Sequence, residues 1–576
     1  MKFFHVYNEE CFKGLEKNGL LNQDTGLKIQ HVFSLPEKMK FNQFAAKDSK
    51  LYRLIRDGNI PFYVDRIAGG VTYHKYNFDL ALIREYDRML GDWFLGFQLH
   101  ESGSNRRGSD WQKILQCMGG KGPYDAEKLR SVLKSDYAVT PDGTVLQMLS
   151  QDPSDEYAKR RYAETAAEYI EEMKDMFTRR MAEVDGHILP CDSYYLAAKL
   201  QSDLGMRTFM PEVGCQIPLM RQEVALARGM AKAGEKTWGA YYECWRYTPG
   251  IGYTMPCFNT APSNEWYLTQ DLHPDDFTSY GENGGSSRLL QNRIYYYALM
   301  SGADYFSEEW GLNCSYTDMK EFSLSSYGEI KKSFIRTAET LQDVQAVIPF
   351  ALVLPKAYSC VELHGDLKDN ELGVHNDKYL DSLLSSEEKC YFGHIEDVLK
   401  LFFNRNGEIY GNEGHVITNS RFGDVMDIIY EDASETDMKR YDYLIDASPD
   451  GDFMQARAGS GLKILGSSHL GKLEKEVQEL IGKVMPCQVD GLCWLVSTEK
   501  TGRRLLSIFN NEGNERSLEH GDIINAEADK VVTITFKESV NLNVLKESAA
   551  ATEIKQVDAL TYCARVPAAG FVIFEF

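Results

Sequence analysis

Acidic side chains follow a series of short apolar runs in the first 345 residues of the chain. Their positions, with the charged and aromatic neighbours that accompany them, are Asp65 and Arg66, His100 and Glu101, Asp192, Glu212, Tyr242, Glu243 and Trp245, and Glu308, Glu309 and Trp310. A domain built only for stability has little reason to gather so many charges, because burying a charge is costly. Clusters of this kind are typical of sites that carry out acid–base and nucleophilic chemistry.

The apolar runs alternate with helical patterns, and such alternation indicates parallel strands. Eight runs can be counted, at residues 3–7, 28–34, 61–67, 93–99, 187–191, 207–211, 237–242 and 304–307. Eight β/α units in this length are typical of a (β/α)8 TIM barrel, whose active site lies at the carboxyl ends of the strands. The sequence therefore predicts an α/β protein with a catalytic barrel over residues 1–345.

Two further domains are predicted after the barrel. Residues 346–485 alternate buried apolar strands with helices, as in a second α/β domain. Residues 486–576 contain only short strands, the pattern of an antiparallel β-sandwich.

Glu101 and Glu243 follow the fourth and seventh strands and are predicted to face each other across the barrel mouth. Glycoside hydrolysis needs two carboxyl groups, set about 5 to 5.5 Å apart when configuration is retained. Two alternatives stay open. Glu101 could pair with Arg106 or Arg107, and Glu212 on the neighbouring strand could exchange roles with Glu243. The choice depends on where strand counting begins.

The remaining candidates, and Glu212 with them, are predicted to bind substrate. His100 is placed to orient Glu101 or to contact a hydroxyl group. Asp65, Arg66 and Asp192 could bind sugar hydroxyls, with a buried salt bridge as the alternative. Aromatic subsites are predicted at Tyr242, Trp245 and Trp310. The alternative for Tyr241, Tyr242 and Trp245 is that those on one strand face belong to the core and those on the other face line a subsite. Of Glu308 and Glu309, one is expected to contact substrate and the other to form an ion pair, because adjacent strand residues point to opposite faces.

With these residues, the chain resembles the clan of retaining (β/α)8 glycosidases. The resemblance implies that Glu101 is the acid/base, Glu243 the nucleophile and Trp310 the eighth-strand platform. His100 departs from the asparagine that most families of that clan have before the acid/base. The three-domain layout resembles family forty-two β-galactosidases, which implies a flavodoxin-like or amidotransferase-like middle domain and a homo-oligomer, a trimer or a dimer.

Composition limits the partners of the chain. A net charge of -22 without a Lys/Arg-rich stripe disfavours nucleic acid. The chain has no apolar run long enough for a signal peptide or a membrane span, and its 12 cysteines are scattered. These features favour a cytoplasmic protein that binds a carbohydrate and no membrane. Nothing in the sequence requires a cofactor or a metal.

The leading hypothesis is a retaining, exo-acting glycosidase for a small oligosaccharide or glycoside. The enzyme alternative is an inverting glycosidase or a lyase that uses Glu212 or Glu309. The alternative from another class is a carbohydrate-binding barrel protein without catalysis.

Overall fold

The structure, a computed structural model, describes most of the chain. The described residues are 1–30, 40–67, 77–100, 138–139, 145–146, 165–191, 195–213, 220–242, 283, 286–309, 311, 315–318, 320–356, 383–403, 417–517, 519–549 and 552–576. The chain divides into two compact units. The first comprises Met1–Thr25, Pro211–Lys356 and His394–Phe576, and the second comprises Gly26–Met210 and Ala357–Gly393.

The strands up to Glu308 are short and almost all parallel. In chain order, β1 to β11 are Lys2–Tyr7, Thr25–Gln30, Phe62–Ile67, Phe94–His100, Ala138–Val139, Val145–Leu146, Ile188–Cys191, Thr208–Phe209, Glu212–Val213, Thr237–Tyr242 and Tyr305–Glu308. The helices α1 to α9 are Glu9–Asn18, Lys40–Phe44, Lys50–Gly58, Leu80–Leu90, Ala166–Glu183, Tyr195–Asp203, Met220–Gly234, Arg288–Met300 and Ser326–Ala338.

In the described part of the chain after α9, strands outnumber helices. The strands are β12 to β26, at Gln345–Ala346, Phe350–Leu354, Met426–Tyr430, Tyr443–Asp446, Ile464–Gly466, Cys487–Val489, Cys493–Thr498, Arg504–Phe509, Asn514–Ser517, Gly521–Ile524, Lys530–Phe536, Asn543–Glu547, Ile554–Gln556, Thr561–Val566 and Phe571–Glu575. The helices α10 to α13 are Ser386–Phe403, Glu435–Met438, Asp452–Ala456 and Leu470–Val484.

In the first unit, four parallel strands lie in the order β1, β11, β10, β9. Their helix-facing side is aromatic. The rings of Phe3 and Phe306 lie 5.7 Å and 5.0 Å from the ring of Tyr295 on α8. Because successive strand residues point to opposite faces, the helix-facing residues alternate with residues on the other face of this sheet.

In the second unit, the parallel strands lie in the order β2, β3, β4, β7, and a bridge joins Cys191 to Met210. Gly96 gives β4 a bulge, with φ +91, and a Cβ there would stand 2.3 Å from the carbonyl oxygen of His187. Only glycine accepts both that conformation and that contact. The N–H of Phe97 donates to the same oxygen at 2.8 Å.

Between them, the two units carry the β/α content of an α/β TIM barrel, as the strand pattern predicts. The observed bounds differ from prediction in places. The second strand begins at Thr25 rather than at 28. The sequence pattern misses this start, because Thr25 and Gly26 lack the apolar side chains that indicate a strand. The sixth run, 207–211, contains β8, and Glu212 begins a further short strand, β9.

Beyond the barrel region, β13 to β16 form a four-stranded parallel sheet in the order β14, β13, β15, β16. The later strands pair antiparallel, in a sheet ordered β12, β18, β19, β26, β23 and another ordered β17, β22, β25, β24. Strands β20 and β21 form a hairpin. Strand β12 pairs with β18, so residues 345–346 belong to an antiparallel sheet. The predicted boundaries at 345 and 485 stay predictions.

None of the described helices combines the length and the apolarity that crossing a membrane demands.

Helix α7 packs against β14 through Gly229. A Cβ at this position would lie 2.2 Å from the carbonyl oxygen of Ile428. The helix and the strand backbone are therefore in direct contact, and the contact depends on the missing side chain.

Replacing Gly229 with alanine should destabilise the protein by about 1 to 3 kcal/mol, because the overpacked backbone must move and this outweighs the usual gain of alanine in a helix. Urea unfolding followed by fluorescence measures the loss. Gly471→Ala in α13 is the matched control, since no atom lies within 4 Å of its added Cβ. Equal midpoints for the two variants would contradict the proposed contact.

Candidate active site

The predicted site residues fall into three groups. The structure describes the side chains of Asp65, Glu212, Tyr242 and Glu309. For Arg66 and His100 it describes the backbone, at the ends of β3 and β4. The others lie outside the described residues: Glu101, Asp192, Glu243, Trp245 and Trp310. The assignment of Glu101 and Glu243 as the carboxylate pair therefore stays a prediction.

Glu212 and Glu309 are buried carboxylates at the carboxyl edge of the first unit's parallel sheet. Their exposed fractions are 3% and 5%. Glu212 is level with Tyr241 in the register of β9 and β10, and the N–H of Glu309 donates to the carbonyl of Tyr242 at 2.9 Å. The alternation of strand residues places both acids on the face opposite the helices. Strand β10, which is the seventh strand of the predicted barrel, thus runs between two buried acids.

Tyr242 and Glu308 lie on the helix-facing side of the same strands, level with each other. The Tyr242 hydroxyl lies 3.1 Å from Oγ of Ser286, and its ring meets that of Tyr295 edge to face at 6.3 Å. These are the contacts of a fully buried core residue. The predicted substrate contact of Tyr242 stays a prediction.

Glu308 forms a buried ion pair with Lys331 of α9 and accepts a hydrogen bond from the hydroxyl of Tyr295. Each of the two charged side chains is 2% exposed. This geometry is that of the ion pair expected for one of the two adjacent glutamates, since Glu309 takes the other face. Sequence reasoning missed Lys331, although a lysine four residues after Tyr327 and three before Phe334 sits in a buried helical pattern.

Lys331 is surrounded by both polar and aromatic groups. Its ammonium donates to Oγ of Ser315 and lies 5.4 Å from the ring centroid of Phe3. Burial, and then the charge of Lys331, lower the pKa of His5 well below its usual value. His5 is therefore neutral at physiological pH, and the Glu308 carboxylate balances the lysine charge.

Lys331→Met should destabilise the protein by about 3 to 5 kcal/mol, because it leaves the Glu308 carboxylate buried without its cation. Thermal and urea unfolding measure the loss. Lys332→Met, at a half-buried position on the same helix, is the matched control and should change stability little. The double variant with Glu308→Gln should lose less than the two single variants together. An additive double variant would argue against the pair.

Asp65 forms an ion pair in the second unit. Its Oδ2 lies 3.4 Å from Nζ of Lys28 on the adjacent strand, and the two side chains are 3% and 1% exposed. This is the buried salt bridge that the sequence left as an alternative to sugar binding. A second role for Asp65 toward substrate stays a prediction.

Among the described residues, no group of three or more His, Cys, Asp or Glu side chains is arranged to hold a metal ion.

No protein-family model matches the chain, and no curated protein matches it. Solved structures resemble it only distantly. One is α-L-fucosidase isoenzyme 2 from Paenibacillus thiaminolyticus, with 10% identity and TM-score 0.42 over 100% of this chain and 99% of that one. Another is GH5_18 from Streptomyces cattleya, with 11% identity and TM-score 0.33 over 81% and 98%.

A third is a glycoside hydrolase family 30 subfamily 8 xylanase from Clostridium acetobutylicum, with 8% identity and TM-score 0.34 over 100% of this chain and 95% of that one.

Proposed function

We propose that the chain is a glycoside hydrolase that cleaves with retention, with Glu101 as acid/base and Glu243 as nucleophile. One observation carries the proposal. Strand β10 ends at Tyr242 between β9, which contains the buried carboxylate Glu212, and β11, which the buried carboxylate Glu309 directly follows. The next residue in the chain is a third acid, Glu243. Carboxylates are gathered at a strand edge in this way where they do chemistry.

The order of the residues also supports Glu243 over Glu212 as the nucleophile. Glu212 is level with Tyr241 and so lies before the end of β10 at Tyr242. Glu243 follows that end in the sequence, and catalytic residues of a TIM barrel follow the carboxyl ends of its strands. Glu212 suits a supporting role.

In the proposed reaction, Glu101 protonates the leaving glycosidic oxygen while Glu243 attacks the anomeric carbon. Glu101 then takes a proton from water, which releases the sugar from Glu243 with its original configuration. His100 precedes the acid/base and would orient it. Asp65, Arg66, Asp192, Glu309 and the tryptophans Trp245 and Trp310 are proposed to bind the sugar.

The finer assignments are proposals of the same kind. We propose an exo-acting enzyme for a small oligosaccharide or glycoside, related in layout to family forty-two β-galactosidases. The four-stranded parallel sheet of β13 to β16 supports an amidotransferase-like middle domain, and the antiparallel sheets that follow support a C-terminal sandwich. A cytoplasmic location and a dimer or trimer remain part of this proposal.

The stereochemistry of the first product tests the reaction. The protein is incubated with a panel of aryl glycosides and oligosaccharides, and proton NMR identifies the anomer that appears first. The proposal expects the substrate's own configuration. The opposite anomer would favour an inverting enzyme that uses Glu212 or Glu309, and an unsaturated sugar would favour a lyase. Binding without turnover across the panel would favour a non-catalytic carbohydrate-binding barrel.

A further inference from the structure

The hairpin of β20 and β21, near the end of the chain, contacts the first turn of α8. Nδ2 of Asn514 donates to Oγ of Ser287 at 2.9 Å, and the backbone N–H of Arg288 donates to Oδ2 of Asp522 at 2.8 Å. Ser287 is itself the cap of α8, since its Oγ accepts from the N–H of Leu290 at 3.0 Å. Residues more than 200 positions away therefore complete the cap.

Asp522 is held in place for this contact. Its Oδ1 accepts from Nε of Arg516 at 2.9 Å and from Nδ2 of Asn514 at 3.2 Å. Burial alone would raise the pKa of Asp522, but Arg516 and the other donors outweigh burial and lower it. The carboxylate is thus ionised, and a negative charge at a helix N-terminus is stabilising.

The same turn of α8 contacts the end of β10. Ser286, directly before the cap, is fully buried, and its Oγ lies 3.1 Å from the hydroxyl of Tyr242. The hydroxyl of Tyr327 donates to the carbonyl of Ser286 and holds it from α9. Tyr242 is the last described residue of β10, and Glu243 follows it in the chain. A chain of contacts therefore leads from the hairpin to the residue before the proposed nucleophile.

We propose that Asn514 and Asp522 are positioning residues that act on the carboxyl end of β10, the strand that the proposed nucleophile Glu243 follows in the sequence. They touch no substrate. They fix the first turn of α8, which fixes Ser286 and through it the Tyr242 hydroxyl, so that β10 ends in one defined place. The proposal rests on the proposed function, and it explains what the C-terminal hairpin contributes to a barrel enzyme.

Asp522→Ala in the full-length protein tests the proposal. We expect kcat to fall about 5- to 50-fold with KM nearly unchanged, because a displacement below 1 Å is enough to misalign a nucleophile. Asp529→Ala is the matched control. Asp529 lies in the same C-terminal segment and accepts from Nε of Arg565 at 2.7 Å and from the N–H of Ala568 at 2.7 Å. It should lower the melting temperature without changing kcat.

A double-mutant cycle distinguishes an effect on the position of the end of β10 from a general loss of stability. Asn514→Ala and Tyr242→Phe act on the same chain of contacts, so their combined effect on kcat should be smaller than the product of the single effects. Independent effects, or an equal fall of kcat in Asp529→Ala, would overturn the proposal.

Hydrogen exchange provides a readout that needs no activity. Mass spectrometry should show faster exchange in the peptide spanning residues 237–245 of Asp522→Ala, but not of Asp529→Ala. If the wild-type protein turns over no glycoside but this peptide still exchanges faster in Asp522→Ala, the proposed function fails and the coupling stands. If turnover is normal and the peptide is unchanged in Asp522→Ala, the coupling fails and the proposed function stands.

Discussion

Replacing Glu243 with alanine should lower kcat on an aryl glycoside by roughly 10³- to 10⁵-fold, as expected when a covalent nucleophile is removed. Added sodium azide should restore turnover, because the small anion enters the space of the missing carboxylate and attacks the anomeric carbon itself. The product should be a glycosyl azide of inverted configuration. Absorbance of the released phenol gives the rate, and proton NMR identifies the azide product.

Glu212→Ala is the matched control, since Glu212 is a buried carboxylate on β9, the strand next to β10. Its rate should fall less, and azide should not restore it. If azide instead rescues Glu212→Ala and leaves Glu243→Ala inactive, Glu212 is the nucleophile.

Glu101→Ala should lose the limb of the pH–rate profile that reports the acid, and it should retain more activity on substrates whose leaving group needs no protonation.

Arg228→Met should cost about 3 to 5 kcal/mol of unfolding free energy, because it strips the cation from a buried charge network. Nε of Arg228 lies 2.5 Å from Oδ1 of Asp427, and its Nη1 lies 3.5 Å from Oδ2 of Asp424. Both aspartates are completely buried. The variant leaves Asp427 with Lys232 and the hydroxyl of Tyr441 as its partners.

Arg440→Met is the control for this second prediction. Arg440 is 40% exposed and lies 3.4 Å from Asp437, so its removal should cost less than about 1 kcal/mol. Urea unfolding compares the two variants. A loss in Arg228→Met no larger than in Arg440→Met would contradict the network, and partial recovery in Arg228→Met/Asp427→Asn would support it.

The network also predicts a dependence on pH. Burial alone would raise the pKa of Asp427, but Lys232 and Arg228 outweigh burial and hold it below its usual value. A carboxyl group whose pKa is lowered by folding stabilises the protein above its unfolded pKa, and this contribution disappears as the pH falls through the folded pKa. Acidification below about pH 4 should therefore destabilise the wild-type protein more than Arg228→Met.

The sequence predicts the elements that carry the site better than the contacts between them. The positions of β3, β4, β7 and β10 follow from apolar runs bounded by helical patterns, and the acids after them are visible in the sequence. The sequence does not show toward which face of the sheet each side chain points, because that depends on the register of the strands. Tyr242 illustrates this, since the sequence allows it to line a subsite or to belong to the core, and the structure places its ring and hydroxyl against Tyr295 and Ser286.

The hydrophobic pattern of the sequence also does not reveal charge pairs between distant elements. Arg228 and Asp427 are 199 residues apart, and a helix that carries arginine, glutamine and glutamate would normally be assigned an exposed polar face. In the structure, Met220 to Ala231 of α7 are all buried. Arg228, for example, is paired with Asp427, a partner that only the tertiary fold supplies.

The pairing of β12 with β18 bears on how the chain can be divided. Residues 345–346 supply a strand that covers Ser497 and Thr498, and the N–H of Val347 donates to the carbonyl of Val496 at 2.8 Å. A C-terminal fragment that begins at residue 486 lacks this strand and would expose the backbone donors and acceptors of β18 along an apolar edge. Such edges recruit other strands, so the fragment should aggregate unless residues 345–347 are supplied in trans.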